Sequence, residues 1–342
     1  MSTNPECAPA ERVMQLAGGY VISSALNAAI RLNIAETLAE EEMSIASLAR
    51  KVNVEEDALF RVMRMLTSLK VFAQVRPRVF SNNEVSNTLR SDAPNSQRPS
   101  VEFITDPFHF KIFADMVPTI QTGRTAVELV TGGKAFEALE NDVDEQRRFN
   151  DAMTNMAGRA APAILEAYDF SGIETLVDVA GGHGVLLTSI LQKHQQLKGV
   201  LFDLPHVIEG AANRIAELNL TRRCSTVAGD FFQSVPSADA YIMRHIIHDW
   251  DDEHALLILK NCHQAMAKTG ARKLLVVEMI LPTANEPHPS LFLDIEMLMF
   301  PGGRERTEQE YAALLERAGF RLTRVIPTRS PNCLIEAVPA TV

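Results

Sequence analysis

The chain has 342 residues, of which 46% are hydrophobic and 22% charged, and its formal net charge is −10. This length fits two domains, or one large domain with an accessory segment, and the composition is typical of a soluble globular protein. An acidic surface repels nucleic acid and anionic membranes, so we expect a small-molecule or protein partner. Four widely spaced cysteines without a CxxC pair argue against a zinc site or disulfide framework and favour a cytoplasmic location.

Residues 1–6 lack the basic segment and apolar core of a signal peptide. Residues 13–30 are apolar but carry four polar side chains, so we expect a buried or interface helix rather than a membrane span. Apolar periodicity then predicts two helices between residues 44 and 70, followed by a strand pair between residues 71 and 81.

Helix, helix and hairpin are the outline of a winged helix, which predicts a helical, winged-helix-like domain over residues 1–95. DNA binding is disfavoured, because the helix that would read the bases begins with three carboxylates at residues 55–57. A structural or dimerisation module is the stronger interpretation.

Residues 96–168 show a mixed helical pattern and are predicted to form a connector, after which strands and helices alternate. Short apolar strands between amphipathic helices predict a doubly wound, Rossmann-like parallel sheet in residues 169–342. The predicted strands include residues 175–180, 199–203, 238–243 and 273–278.

A glycine-rich segment, Asp-Val-Ala-Gly-Gly-His-Gly at residues 178–184, follows a predicted strand and opens a helix. Asp203 ends the second strand, where an acid can accept hydrogen bonds from a ribose diol, and Gly229 and Asp230 follow the third. The dinucleotide pattern GxGxxG fails, because Leu187 occupies the third glycine position. The loop alone leaves a dinucleotide, S-adenosylmethionine and a structural turn open; the three features together favour an adenosyl ligand without a pyrophosphate.

The candidate base is His248, in the segment Arg-His-Ile-Ile-His-Asp-Trp-Asp-Asp-Glu-His at residues 244–254, after the fourth strand. If the ligand is S-adenosylmethionine, methyl transfer from its sulfonium to a hydroxyl would require an aligned oxygen and the removal of its proton. A histidine with a pKa of about 6.5 can serve a phenol of about 10 if proton loss accompanies attack. The alternatives are a structural histidine, a helix start at residues 251–253, and a metal site. The ligands of such a metal site would be His245, His248, Asp249, Asp252 and His254. Their irregular spacing is weak evidence for a metal site.

Five ordered motifs resemble the plant caffeic acid and flavonoid O-methyltransferase family and its bacterial phenazine, polyketide and hydroxyindole relatives. They are residues 178–184, Phe-Asp-Leu-Pro-His-Val-Ile at 202–208, Gly-Asp-Phe-Phe at 229–232, His-Asp-Trp-Asp-Asp-Glu-His at 248–254, and Pro-Gly-Gly-Arg-Glu-Arg-Thr at 301–307. The similarity runs through nearly the whole chain. It implies a class I methyltransferase fold, S-adenosyl-L-methionine with S-adenosyl-L-homocysteine as product, no metal, and a role in secondary metabolism. It also implies a homodimer in which the helix over residues 13–38 reaches toward the partner's pocket.

The resemblance further implies the roles of individual residues. The cofactor would be bound by Asp178, Gly181, Gly182, Asp203, Leu204, Gly229, Asp230, Phe231 and Arg244. Of these, the two glycines would lie near the methionine part, Asp203 near the ribose, and Asp230 and Phe231 near the adenine. Ala180 and His183 depart from the commoner glycine and threonine or serine, and Arg244 stands where the family usually has lysine.

The same resemblance makes His248 the catalytic base, flanked and oriented by Glu278 and Glu305. The substrate contacts it implies are Asp249, Phe149, Met153, Met297 and Phe300. We expect the pocket in residues 108–116, 149–156 and 297–300, whose apolar, Met-rich character suits a flat ring.

The predicted function is therefore S-adenosylmethionine-dependent O-methylation of a small, aromatic, phenolic metabolite. The alternative is a family member that binds the same cofactor for N- or C-methylation or hydroxylation. Such members often lack the base, so the presence of His248, Glu278 and Glu305 argues against this alternative. A non-enzymatic regulator that uses the winged helix is disfavoured by its acidic helix start.

Overall fold

A computed structural model describes residues 8–270, 273–284 and 286–340. Cys7 and residues 1–6, which carry the signal-peptide argument, lie outside these described residues. The chain divides into two compact units, of which the first ends at Lys111 and the second begins at Ile112. The division into residues 1–95, 96–168 and 169–342 stays a prediction.

The first unit is helical and contains a small sheet of strand order β1-β3-β2. Its helices are α1 (Pro9–Ala17), α2 (Gly19–Arg31), α3 (Ile34–Thr37), α4 (Ile45–Lys51), α5 (Glu56–Ser68), α6 (Glu84–Asn87) and α7 (Arg98–Ile104). Its strands are β1 (Met43–Ser44), β2 (Ala73–Arg76) and β3 (Val79–Ser81), all paired antiparallel. The predicted winged-helix outline is confirmed, with the two-residue strand β1 as an unpredicted addition.

Residues 13–38 form three helices rather than one. Gly18 separates α1 from α2, and Asn33, with a left-handed φ of 52°, separates α2 from α3. Helix α1 has no buried residue, whereas α2 buries residues such as Ala29 and Ile30 in the core of the first unit. Length and composition alone would let Pro9–Arg31 cross a membrane, which is weak evidence because core helices pass the same test.

Acidic side chains at the start of α5 are engaged within the first unit. Glu55 accepts hydrogen bonds from the first turn of its own helix, and Glu56 pairs with Arg78 at 2.6 Å. Arg76 in the hairpin pairs with Glu42. The two arginines of the hairpin, Arg76 and Arg78, are thus each paired with a neighbouring acid.

The second unit starts with helices and continues as an alternating sheet. Helix α8 (Pro107–Phe113) crosses the boundary between the units, and the remaining helices follow it in chain order. They are α9 (Val117–Thr122), α10 (Ala126–Thr131), α11 (Ala135–Glu140), α12 (Val143–Ala167), α13 (Val185–Lys193), α14 (Pro205–Ile208), α15 (Ala211–Glu217), α16 (Asp252–Thr269), α17 (Pro289–Met299) and α18 (Glu308–Arg317).

The sheet of the second unit has seven strands in the order β6-β5-β4-β7-β8-β10-β9. The strands are β4 (Thr175–Val179), β5 (Lys198–Asp203), β6 (Cys224–Ala228), β7 (Ala240–Arg244), β8 (Lys273–Met279), β9 (Phe320–Pro327) and β10 (Asn332–Pro339). Strands β4 to β8 pair in parallel, whereas β10 runs antiparallel to both β8 and β9. The predicted doubly wound sheet is confirmed, although the antiparallel C-terminal pair was not predicted.

Alternate residues of the central strands pack on opposite faces of this sheet. On one face Val177 and Val179 join a cluster with α16 and α18, and on the other Leu176 joins one with α12, α13 and α15. Cys224, Cys262 and Cys333 carry free thiols. With both faces covered by helices, the accessible part of the parallel strands is their carboxyl edge, where ligands of such sheets bind.

Candidate active site

In the glycine-rich loop after β4, every second residue from Ala180 to Gly184 has a left-handed backbone conformation. The φ angles are 54° at Ala180, 58° at Gly182 and 71° at Gly184. A Cβ atom on Gly181 would lie 2.6 Å from Asp178 Cγ, so this position has no room for a side chain. The left-handed φ explains why glycine is commoner where this chain has Ala180, since a Cβ there costs roughly 1–2 kcal/mol.

His183, the second departure from the family motif, holds the loop to a helix. Its Nδ1 lies 2.9 Å from Thr154 Oγ1 on α12, and its ring packs so close to Gly210 that a Cβ there would meet Nε2 at 2.7 Å. The imidazole thus fills space between three segments that a serine or threonine would leave open.

Asp203, at the end of β5, joins the loop to the neighbouring strand. Its Oδ2 accepts from Gly182 N at 2.8 Å and its Oδ1 from Leu204 N at 2.7 Å. Asp178 is buried, and its Oδ2 has no hydrogen-bond partner among the described residues. Burial, with the nearby charge of Asp203 adding to it and that of Arg244 opposing it, raises the pKa of Asp178 to about 7.

The loop after β6 places acid and aromatic groups beside this site. Gly229 N donates to the backbone oxygen of Asp203 at 3.0 Å, and a Cβ on Gly229 would meet Phe202 at 2.5 Å. Asp230 Oδ1 accepts from Phe232 N at 2.8 Å, and the rings of Phe231 and Phe232 pack edge to face, 4.8 Å apart. This loop therefore presents a carboxylate and a half-buried ring at the carboxyl edge of the sheet.

His248 lies in a short 3₁₀ helix, Ile247–Asp249, that follows β7. Only 3% of its surface is exposed. Its Nδ1 lies 2.6 Å from Glu305 Oε1 and 3.6 Å from Glu278 Oε2, whereas its Nε2 lies 3.4 Å from Asp249 Oδ1. One ring nitrogen therefore faces two buried glutamates and the other faces an aspartate.

Glu305 and Glu278 make different contacts with the segment that carries His248. Glu305 makes the short contact with the ring, and its backbone N donates to Asp294 at 2.9 Å. Glu278, at the end of β8, uses Oε1 to accept from the backbone N–H groups of Ile246, Ile247 and His248 at 3.1, 3.0 and 3.4 Å. Glu305 thus contacts the imidazole itself, whereas Glu278 contacts the backbone that carries it.

The carboxylates change the acidity of this cluster. Burial alone lowers the pKa of His248, but the charges of Glu278, Asp249 and Glu305 oppose it and raise the pKa to about 10. Burial raises the pKa of Glu278 to about 7 and that of Asp249 to about 6. The expectation of an ordinary histidine pKa near 6.5 is therefore wrong, because it left out these neighbours.

The five residues suggested by the sequence as a metal site do not form one ligand set, although Asp249 lies 3.4 Å from His248. His245 contacts Asn332 at 2.6 Å, and His254 contacts Asp251, the residue that caps α16. A different set, His248 with Glu278 and Glu305, has ligand atoms within 4.8 Å of one another. However, the 2.6 Å between Nδ1 and Oε1 is a hydrogen-bond distance that leaves no space for an ion bound to both atoms.

Asp249 lies in the 3₁₀ helix beside His248, and the four apolar residues predicted to contact the substrate lie on α12 and at the end of α17. Phe149 and Met153 are partly buried on α12, and Met297 and Phe300 are buried at the end of α17. Arg244 Nη2 donates to the Met153 backbone oxygen at 3.4 Å, which joins α12 to the end of β7. Residues 108–116 contain the boundary between the two units, so their part in the pocket stays a prediction.

Sequence reasoning did not assign several residues that hold this site together. The ring of Phe136 lies 6.3 Å from Phe149 and 5.5 Å from Trp250, whose ring lies 6.0 Å from Phe231. Gly303 packs so closely on the His248 loop that a Cβ would lie 1.9 Å from His248 O. Trp250 and Gly303 lie inside the quoted motifs, which was the available signal.

Comparisons with known proteins agree with this arrangement. The model of the O-methyltransferase dimerisation domain matches residues 14–92, and that of the O-methyltransferase domain matches residues 113–321. The phenazine O-methyltransferase PhzM of Lysobacter antibioticus is 38% identical over 328 residues, which cover 96% of this chain and 95% of that protein. The crystal structure of LaPhzM matches with a TM-score of 0.91 at 37% identity, over 97% of this chain and 100% of that one. Human N-acetylserotonin methyltransferase in complex with S-adenosylmethionine matches with a TM-score of 0.89 at 25% identity, over 100% of both chains.

The sheet, the glycine-rich loop at its carboxyl edge and the solved neighbours define a class I methyltransferase. The chain belongs to the S-adenosylmethionine-dependent O-methyltransferase family, with a dimerisation domain that precedes the catalytic domain. The predicted family, fold class and cofactor are thereby confirmed, while the roles of individual residues stay predictions.

Proposed function

We propose that this enzyme methylates a hydroxyl group of a small, phenolic metabolite and that His248 is the general base. The observation that carries the proposal is the 2.6 Å contact of His248 Nδ1 with Glu305 Oε1. A carboxylate on one ring nitrogen fixes the tautomer and leaves the other nitrogen to receive a proton, as in a catalytic triad.

S-Adenosylmethionine supplies a methyl group on a positively charged sulfur. The acceptor oxygen forms a bond to the methyl carbon while the carbon–sulfur bond breaks and its electron pair stays on sulfur. The hydroxyl proton passes to Nε2 of His248, and Glu305 stabilises the resulting imidazolium. Alignment of oxygen, methyl and sulfur supplies the rest of the acceleration.

The raised pKa of His248 suits this proton transfer. The carboxylates raise the pKa of His248 to about 10, toward that of a free phenol, so proton transfer to it costs less free energy than transfer to an ordinary histidine. General-base catalysis is most effective when the pKa of the base lies near the working pH, so a raised pKa makes His248 a stronger base but lowers its neutral fraction at neutral pH. The requirement for a neutral base makes the rate depend on pH.

We assign the cofactor to the edge formed by β4, β5 and β6. The close approach at Gly181, the loop at Gly182, and the unpartnered Oδ2 of Asp178 support binding of the methionine part there. The other residues would be Asp203 and Leu204 at the ribose, Gly229, Asp230 and Phe231 at the adenine, and Arg244 near the donor.

The acceptor would bind between α12 and the end of α17. Phe149, Met153, Met297 and Phe300 offer an apolar lining, and Asp249 offers a polar contact beside Nε2 of His248. Two relatives are named for aromatic acceptors, a phenazine and N-acetylserotonin, which supports an aromatic ring here as well. A cytoplasmic location remains a proposal from cysteine usage.

We also propose a homodimer formed through the dimerisation domain. Val13, Met14 and Leu16 on α1 and Tyr20 and Val21 on α2 are exposed, and 71% of the surface of Met14 is accessible. Large apolar side chains grouped in one segment usually mark an interaction surface. A second copy of the chain would bury them, and the matched domain model supports that partner.

The experiment that tests the activity uses purified protein, methyl-labelled S-adenosylmethionine and a panel of phenols. We expect a labelled product that mass spectrometry places on oxygen, one S-adenosylhomocysteine per product, and no effect of a chelator. A label on nitrogen or carbon, or a hydroxylated product, would favour the alternative chemistry. Reversible arrest by chelator would require a metal site at His248.

A further inference from the structure

Arg306 is the largest of the side chains buried almost completely, with 1% of its surface exposed. A guanidinium is charged at every physiological pH, so burying it requires partners for its five N–H donors. Its Nε and Nη2 donate to Asp252 Oδ1 at 3.1 and 2.8 Å. The remaining bonds go to backbone oxygens of segments that form the catalytic cluster.

Those backbone acceptors lie on both sides of His248. Arg306 Nη1 donates to Ile247 O at 3.1 Å and Nη2 to Trp250 O at 3.0 Å. A weaker bond, 3.3 Å, joins Nη1 to Arg304 O, one residue before Glu305. One rigid guanidinium therefore fixes the loop that carries the base relative to the segment that carries its nearest carboxylate.

The main chain around Arg306 connects the third member of the cluster. Arg306 forms a parallel bridge with Ile280, and its backbone oxygen accepts from Leu281 N at 3.0 Å, just beyond Glu278 on β8. Arg304 N donates to His248 O at 2.8 Å. The segments of His248, Glu278 and Glu305 thus meet at one residue.

We propose that Arg306 is a positioning residue for methyl transfer, which holds Glu305 in contact with Nδ1 of His248. This inference rests on the proposed role of His248 as the base. An arginine is needed because its planar fork reaches three backbone acceptors and a carboxylate together, whereas a lysine ammonium on a flexible stem cannot span them. Arg306 itself does not touch donor or acceptor in this assignment.

The test compares Arg306→Lys with Arg317→Lys. Arg317 also pairs with Asp252, at 3.8 Å, but it is half exposed and bonds to no part of the His248 loop. We expect Arg306→Lys to lower kcat by about 10- to 100-fold, the effect of a small misplacement of catalytic groups. The dissociation constant for S-adenosylmethionine and the KM for the acceptor should stay within about twofold, and Arg317→Lys should match wild type.

The pH profile separates positioning from plain structural support. His248 faces the carboxylates of Glu278, Glu305 and Asp249, with His245 and Arg244 as the nearby basic groups. If Glu305 moves away from Nδ1, the imidazolium loses stabilisation, so kcat should level off at a lower pH in Arg306→Lys. A loss of stability alone would reduce the number of folded sites, counted by bound cofactor, and leave this profile in place.

Asp252→Asn provides a second variant, because its side chain is half exposed and the backbone bonds of Arg306 remain. It should shift the pH profile in the same direction but less. Profiles that superimpose on wild type in both folded variants would overturn the proposal. If His248→Ala also kept its activity, the proposed base itself would be wrong, whereas loss of activity only in that variant would reject Arg306 alone.

Discussion

Glu305 Oε1 lies 2.6 Å from Nδ1 of His248, and both side chains are buried. In the neutral imidazole, the carboxylate of Glu305 favours a hydrogen on Nδ1. Nε2 is then the nitrogen that can take up a proton. Glu278 Oε2 lies 1.0 Å farther from the same nitrogen, at 3.6 Å, and its Oε1 holds the loop backbone. Glu305 is therefore the carboxylate in direct contact with the ring, and Glu278 contacts mainly the backbone of the loop.

His248→Ala should lower kcat by about two to four orders of magnitude, the usual range for a lost general base. Affinity for S-adenosylmethionine should stay close to wild type, because Asp203 and the glycine loop lie at other strands of the sheet. Steady-state kinetics and calorimetry on the same preparation would measure both. Full activity on the true acceptor would assign proton removal to another group or to water.

Asp203→Ala should weaken S-adenosylmethionine binding by roughly 1–3 kcal/mol, since a charged acceptor of hydrogen bonds is lost. Asp203→Asn should be less severe, because its one amide oxygen can still accept from Gly182 N. Glu217→Ala, which removes an exposed acid from α15, is the charge control. Calorimetry that gave unchanged affinity in the folded alanine variant would refute the assignment, and NAD should not bind to any of them.

Light scattering should give a dimer at micromolar concentration, and Met14→Glu with Leu16→Glu should shift it to monomer. Two charges placed on an apolar interface would have to be desolvated on association, which opposes burial. Val85→Glu is the control, because Val85 is exposed on α6 of the same unit, outside the α1–α2 surface. A wild-type monomer, or an unchanged dimer in the double variant, would contradict the proposed interface.

Most of the parallel strands could be predicted from sequence because they are short apolar runs, whereas β6 is largely exposed. Residues 273–278 were predicted where β8 covers Lys273–Met279, and 199–203 where β5 covers Lys198–Asp203. Strands β9 and β10 were missed because their patterns are broken by polar residues. Glu336, in the middle of β10, is explained by bonds with Tyr168 and Arg324, and these are visible only in the folded chain.

The candidate site, like the fold, could be predicted from the sequence only in part. Motifs indicated which side chains carry chemistry, since His248 and Glu305 both lie in segments that resemble the family. Their separation of 57 residues in the chain hides the distance between them and the charge each feels. The raised pKa of His248 and the hydrogen bonds of Arg306 to the His248 loop depend on contacts between segments that are distant in the chain. Periodicity and local spacing therefore could not reveal them.

The last prediction concerns pH. A base must be neutral, and the pKa of His248 is about 10, so kcat should rise with pH from neutral toward that value and then level off. The acceptor phenol also ionises near 10, so the wild-type profile alone does not tell which group is responsible. A variant that changes the histidine but not the acceptor resolves this.

Glu305→Gln removes one of the charges that raise the pKa of His248 and keeps an amide oxygen that can still accept from Nδ1. The rise in kcat should therefore shift to lower pH, while the plateau falls less than in His248→Ala, because the imidazole remains but is held less firmly. Glu308→Gln, an exposed change three residues away, should leave the profile in place. Steady-state assays with one acceptor, from neutral pH to about pH 10, would measure the shift in the pH profile of kcat. If kcat in Glu305→Gln still rose at the pH where the acceptor phenol itself ionises, the phenol would lose its proton without His248.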